Sequence, residues 1–221
     1  MMCHYLAGVP GNGSDAFDLS ADAWNRQIDA FDVDAFVQQV ASTGAGYLLF
    51  TVGQNTGHYC APNETYDELT GLRPSRCSRR DLIQELAEAL EPHEVRLMVY
   101  TTAGAPNEPN AAEALGWADP RNGPPRRLAD FQQKWNRILA TWSRRWGRRV
   151  HGWWVDGCYF ADAMYEFEDE PNWDSLTRAL KSGNSDAIVA YNPGVRVPVI
   201  TQGDEDYTAG ELDRALAVGG W

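Results

Sequence analysis

Basic charge is what this chain has least of. Its 221 residues carry 19 lysines and arginines against 31 aspartates and glutamates, a net charge of −12. Nucleic acid and anionic membranes both need basic patches, so neither is expected as a partner. The local cluster Arg144-Arg145 and Arg148-Arg149 reads as a solvated helix end rather than a phosphate site. No apolar run reaches the roughly 18 residues of a membrane-spanning helix. Cysteine is also scarce: Cys3, Cys60, Cys77 and Cys158 show no Cys-x-x-Cys spacing, and no paired histidines accompany them. A zinc or other metal site is therefore not expected, and the spacing leaves open whether Cys60 and Cys77 pair. The start, Met1-Met2-Cys3-His4-Tyr5, lacks the basic and long apolar segments of a signal peptide. The chain as it stands reads as cytoplasmic, or as secreted or periplasmic if its N-terminus has been trimmed.

Missing motifs narrow the chemistry. Gly11-Asn12-Gly13-Ser14 lacks the later glycine and helix start of a dinucleotide-binding loop. No Gly-x-Ser-x-Gly occurs, which argues against a serine esterase. No organic cofactor is implied. Asn63-Glu64-Thr65 matches the N-glycosylation pattern, but three residues recur easily by chance. Repeats, low-complexity tracts and linkers are absent too, so residues 1–221 read as a single domain.

What is present is a large apolar and aromatic complement: 43% hydrophobic residues, with nine Trp, nine Tyr and seven Phe. That suffices for a sizeable core, and aromatic rings mostly fill cores. Short apolar runs alternate with helical spacing. Strands are predicted over 1–6, 47–51, 95–100, 153–156, 187–191 and 197–201, and helices over 33–42, 80–90, 128–146, 173–180 and 211–218. Loops fill 52–79 and 103–125. Such alternation is the mark of an α/β fold with a parallel sheet. About six strands, where a closed (β/α)8 barrel of the TIM type has eight, points to an incomplete barrel trimmed at both ends or a fragment of a larger one.

The run Gly152-Trp153-Trp154-Val155-Asp156-Gly157 carries the most information. It reads as a buried strand ending on a carboxylate, and ligands of such sheets sit beyond the carboxyl ends of the strands. Asp156 is placed there as a catalytic group or, equally, as the cap of the next helix. Other polar residues follow other strands: His4, then Gln54, Asn55 and His58, then Tyr100, then Asn192. On a barrel all face one mouth. Glycoside hydrolysis needs two carboxyl groups, and the acidic run from Gly203 to Glu211 offers a partner for Asp156.

Several segments together resemble the α-L-fucosidases of glycoside hydrolase family 29. Met1-Met2-Cys3-His4-Tyr5 is similar to the family's Gly-Met-Phe-Ile-His-Trp strand. Ala45-Gly46-Tyr47-Leu48-Leu49-Phe50-Thr51 is similar to Ala-Lys-Tyr-Val-Val-Leu-Thr, and Arg79-Arg80-Asp81-Leu82-Ile83-Gln84-Glu85-Leu86 to Lys-Arg-Asp-Leu-Val-Gly-Glu-Leu. Trp153-Trp154-Val155-Asp156-Gly157 resembles Leu-Trp-Phe-Asp-Gly, and Gly203 to Glu211 resembles Asp-Phe-x-Thr-x-Glu. The resemblance implies a retaining, exo-acting glycosidase with a carbohydrate substrate, Asp156 as nucleophile, Glu211 as acid/base and His4 touching the sugar. Where the family has His-His-Asp-Gly-Phe, this chain has Gly53-Gln54-Asn55-Thr56-Gly57-His58-Tyr59. Gln54 and Asn55 can still exchange hydrogen bonds with hydroxyls. The rival reading is a non-catalytic carbohydrate-binding barrel that has kept the scaffold.

Overall fold

The computed structural model describes residues 1–7, 20–122, 126–194 and 200–210. The expected alternation is there: β1 (Met2–Cys3), α1 (Ala21–Asp29), α2 (Val33–Ser42), β2 (Tyr47–Thr51), α3 (Glu64–Thr70), α4 (Leu82–Leu90), β3 (Arg96–Thr102), α5 (Pro109–Leu115), α6 (Ala129–Trp146), β4 (Val150–Asp156), α7 (Ala161–Met164), α8 (Trp173–Leu180) and β5 (Ile188–Tyr191). All strand pairs are parallel and follow chain order, β1-β2-β3-β4-β5. Right-handed crossovers in that order put every helix on one face, which is barrel winding rather than double winding. The five-stranded sheet is not closed, so the architecture is α/β with a partial barrel. Residues 195–199 and 211–218 lie outside the described set, so the sixth strand and last helix are not placed; Ile200 and Thr201 are not in a strand.

Because side chains alternate along a strand, the two faces have different tasks. Leu48, Phe50, Leu97, Val99, Trp153, Val155, Val189 and Tyr191 join the helices in the main core. Leu49, Met98 and Tyr100 form a second cluster on the other face, with Trp154 and Tyr207 against them. Most of the aromatic content goes into the first. On α6, Trp142 and Trp146 stack with ring centroids 6.0 Å apart, and Trp146 packs on Trp153 of β4 at 5.9 Å. Each α6 indole N–H has an acceptor: Trp135 donates to the Thr102 carbonyl, Trp142 to the Pro62 carbonyl, and Trp146 to Asp81.

The segment Arg79 to Leu86, a good match to the fucosidase pattern, does structural work. Asp81 caps α4 by accepting from the Gln84 amide at 3.0 Å, and it also accepts from Trp146. Arg80 binds Glu85 and donates to the carbonyls of Ile28 and Phe31, tying α4 to the end of α1. Burial pushes the Asp81 carboxyl above its ordinary value, against the pull of the Gln84 amide and the Trp146 indole. The folded state therefore holds this proton more tightly than the unfolded chain does. Its contribution lowers stability at neutral pH and is relieved as pH falls through the raised value. Asp81→Asn keeps the cap's acceptor and removes the buried charge, so it should raise stability at neutral pH and flatten that acid-side rise. Asp81→Ala should cost about 1–2 kcal/mol in urea unfolding through the lost cap.

Among the described residues, the outer edge of β5 is met by Asp206, Lys181 and Thr201. Val189 donates to the Asp206 carboxylate at 2.9 Å, and the Asp206 amide returns a bond to the Val189 carbonyl at 2.8 Å. Lys181 pairs with Asp206, and the Thr201 hydroxyl donates to the Tyr191 carbonyl. Unpaired edge groups invite strand addition; Asp206, part of the acidic run, blocks that here. Asn63, of the Asn-Glu-Thr triplet, is buried, accepts from the Tyr66 amide and donates to the Ile138 carbonyl. It is a helix cap tied into the core. The four cysteines are free thiols, and Cys60 and Cys77 do not pair.

Candidate functional site

Strand parity sends alternate residues of each strand to the face away from the helices. His4 follows β1, Tyr100 lies near the end of β3, Asp156 ends β4 and Asn192 follows β5. In register, Thr51 stands beside Tyr100, and Thr102 beside Asp156. Four residues far apart in the chain thus reach one end of the sheet; hydrogen bonds join Tyr100, Asp156 and Asn192, and a ring contact adds His4.

Asp156 is the hub. The Tyr100 hydroxyl donates to its Oδ2, and the Asn192 amide donates to its Oδ1 at 2.5 Å. Gln54, in the loop after β2, donates from Nε2 to the Tyr100 hydroxyl at 2.8 Å. His4 meets the Tyr100 ring edge-on at 4.8 Å, and its Nδ1 lies 2.9 Å from the Thr51 hydroxyl oxygen. Thr51 gives its own proton to the Cys3 carbonyl at 3.3 Å. The Thr51 hydroxyl thus ties the His4 ring to the end of β1. Burial, followed by the bond to Asp156, pushes the Tyr100 phenol well above its ordinary value, so it stays protonated and donates at any working pH. Asp156 does not cap α7, whose N-cap Phe160 makes no side-chain bond. Gly157, at φ +80, turns the chain away directly after the carboxylate, a conformation that favours glycine.

Asn55 and His58 are not brought to this hub. Asn55 is exposed and accepts from the Asn107 amide through its backbone carbonyl. His58 is 2% exposed, with Nε2 2.9 Å from Arg76 and its ring against Trp24. Glu211 lies outside the described residues. Within the acidic run, Glu205 accepts from the Thr201 amide with Oε1, while Oε2 is buried with no hydrogen-bond partner among the described residues. Burial raises its carboxyl above the ordinary value, against the Thr201 and Tyr191 amides. Trp153 points into the main core, whereas Trp154 faces the site side of the sheet beside Tyr207.

Tyr159 is the residue that strand-end reasoning passes over. It is 55% exposed, three residues beyond Asp156, and lies against Gly194. A Cβ at Gly194 would sit 2.3 Å from its ring, and Gly194 has φ +95, so glycine is what lets the ring lie there. An exposed aromatic beside a carboxylate offers an apolar face to a ring-shaped ligand. The signal in the sequence is its place directly after Asp156-Gly157-Cys158. The arginine cluster near the end of α6 is occupied in surface pairs, Arg145 with Glu64, Arg148 with Asp186 and Arg149 with Glu88. Among the described residues no helix is long and apolar enough to cross a membrane.

No protein-family model matches the chain, and no curated protein matches it by sequence. Solved structures do. An endo-fucoidan hydrolase of glycoside hydrolase family 107 (MfFcnA9) aligns at TM-score 0.61 and 15% identity, over 78% of this chain and 37% of its own. A second, MfFcnA4, aligns at 0.59 and 15%, over 78% and 31%. An α-L-fucosidase of family 29 from Bacteroides thetaiotaomicron aligns at 0.54 and 14%, over 86% and 44%. The chain thus spans between about a third and a half of each of these structures. At such identities the likeness is one of fold. In fold, this chain is similar to part of the α-L-fucosidase and endo-fucoidan hydrolase structures.

Proposed function

We propose that this chain carries the catalytic end of a retaining, exo-acting glycoside hydrolase of α-L-fucosidase-like type. The observation that carries the reading is Asp156, a carboxylate at a strand end, held by donors from two neighbouring strand ends, Tyr100 and Asn192. A carboxylate fixed in this way can attack an anomeric carbon without first finding its orientation. Attack forms a glycosyl ester on Asp156 as the leaving oxygen takes a proton from a second carboxyl; water then cleaves the ester as that carboxylate removes a proton. The second carboxyl is assigned to Glu211 on the resemblance of its segment to that of the family 29 α-L-fucosidases. The groups around Asp156 suit a sugar: the His4 ring can exchange a hydrogen bond with a hydroxyl, and Tyr159 offers a platform for the sugar's apolar face.

A panel of aryl glycosides, with aryl α-L-fucoside first, tests the reading. Turnover of one member with net retention of configuration is expected. Sugar binding without turnover of any member would favour the carbohydrate-binding alternative. Tyr159→Ala should raise KM with little change in kcat, by an amount worth about 0.5–1.5 kcal/mol, on the order of 2- to 10-fold.

A further inference from the structure

Gln54 is expected, from its type and place, to bind a substrate hydroxyl. Its hydrogen bonds give it another task. An ionised Asp156 has no proton to give, so Tyr100 must be the donor between them. A phenol has a single proton, and with that proton directed at Asp156 the Tyr100 oxygen can only accept from Gln54. The amide is thereby oriented with Nε2, not Oε1, toward the phenol, at 2.8 Å. The donor order Gln54 to Tyr100 to Asp156 is the one arrangement in which each atom meets its complement. Asn192 holds the other carboxylate oxygen from β5, so the carboxylate plane is fixed from both sides.

We infer that Gln54 is a positioning residue for Asp156, acting through Tyr100: its amide blocks other directions for the phenol O–H and keeps it pointed at the carboxylate. This rests on Asp156 being the nucleophile, and it assigns Gln54 to the chemical step instead of to ground-state sugar binding. The neighbouring Asn55 is exposed, accepts from the Asn107 amide through its backbone carbonyl, and has no such link among the described residues.

The test is a double-mutant cycle of Gln54→Leu and Tyr100→Phe, with Gln54→Glu as a third variant. Gln54→Leu should lower kcat by about 10-fold and move KM less than about 2-fold, the size expected when a bond to a charged group's partner is lost. In the Tyr100→Phe background the same change should add nothing. Gln54→Glu, when ionised, competes for the phenol proton and should cost more than Gln54→Leu. A raised KM with intact kcat, or losses that multiply in the double variant, would overturn the assignment. A readout independent of turnover runs alongside: the ring Cζ resonance of Tyr100 in carbon-13 tyrosine-labelled protein. It should move in Gln54→Leu and in Asp156→Asn. If no aryl glycoside is turned over, the hydrolase reading fails by itself, and the resonance still decides the relay. An unmoved resonance in Gln54→Leu overturns it.

Discussion

Asp156→Ala should fold like the parent and lose about 10⁴-fold or more in turnover, about 5.5 kcal/mol of barrier. Folding is spared because Asp156 is half-buried at the end of β4 and its side chain bonds to Tyr100 and Asn192 at the site rather than packing in the core. Turnover is not spared, because no other carboxylate among the described residues shares this pair of donors. A small anion such as azide, diffusing into the space left by the side chain, should restore part of the rate and yield a glycosyl azide of inverted configuration. A purely electrostatic or capping role for Asp156 gives no such product. The Tyr100 phenol supplies an internal control. The carboxylate contributes to holding its ionisation high, so in Asp156→Ala the phenol should ionise at lower pH than in the parent, as read by ultraviolet difference absorbance.

Trp153→Ala should be the most damaging core change, costing about 3–5 kcal/mol. Total stabilities of about 5–15 kcal/mol leave little after such a loss. The reason lies in the position. Trp153 is 1% exposed on the strand between β3 and β5, and its ring packs on Trp146, itself stacked on Trp142. Nothing in a layer of rings collapses readily into an indole-sized space. Trp154, the next residue, faces the other way, is only partly buried, and packs on Tyr207 at 6.4 Å. Trp154→Ala should therefore cost much less, about 1–2 kcal/mol. A urea midpoint that falls equally in both variants would contradict the two-face description of β4.

Much of the scaffold is legible in the sequence because burial leaves simple marks. Tyr47 to Thr51 and the Trp153 to Asp156 run are apolar on both faces, as strands of a helix-covered parallel sheet must be. Val33–Ser42 shows its helical face outright, and the predicted span matches α2. The helices α3 and α5 were hidden in the long loops because each is seven residues long with only one or two buried side chains. Their starts rest on caps, Asn63 and Glu108, whose bonds are visible only once the backbone is placed. At the site, strand-end residues are legible because strand parity dictates where they point: His4, Tyr100, Asp156 and Asn192 all reach one end. Loop residues are not so constrained. Gln54 turns in to Tyr100, Asn55 turns out, and His58 turns down onto Trp24, although five residues hold all three. Nor does an acidic run announce which carboxylate blocks a sheet edge, as Asp206 does.

The account depends most on Asp156 as a covalent nucleophile, and trapping tests that directly. A 2-deoxy-2-fluoro glycosyl fluoride of whichever sugar the aryl panel selects slows ester hydrolysis, so the glycosyl group accumulates on the attacking side chain. Proteolysis and mass spectrometry should then find it on the peptide carrying Asp156, and nowhere in the Asp156→Ala variant. Turnover of the aryl glycoside with the label on another carboxylate, or with no label and a product of inverted configuration, would contradict the account.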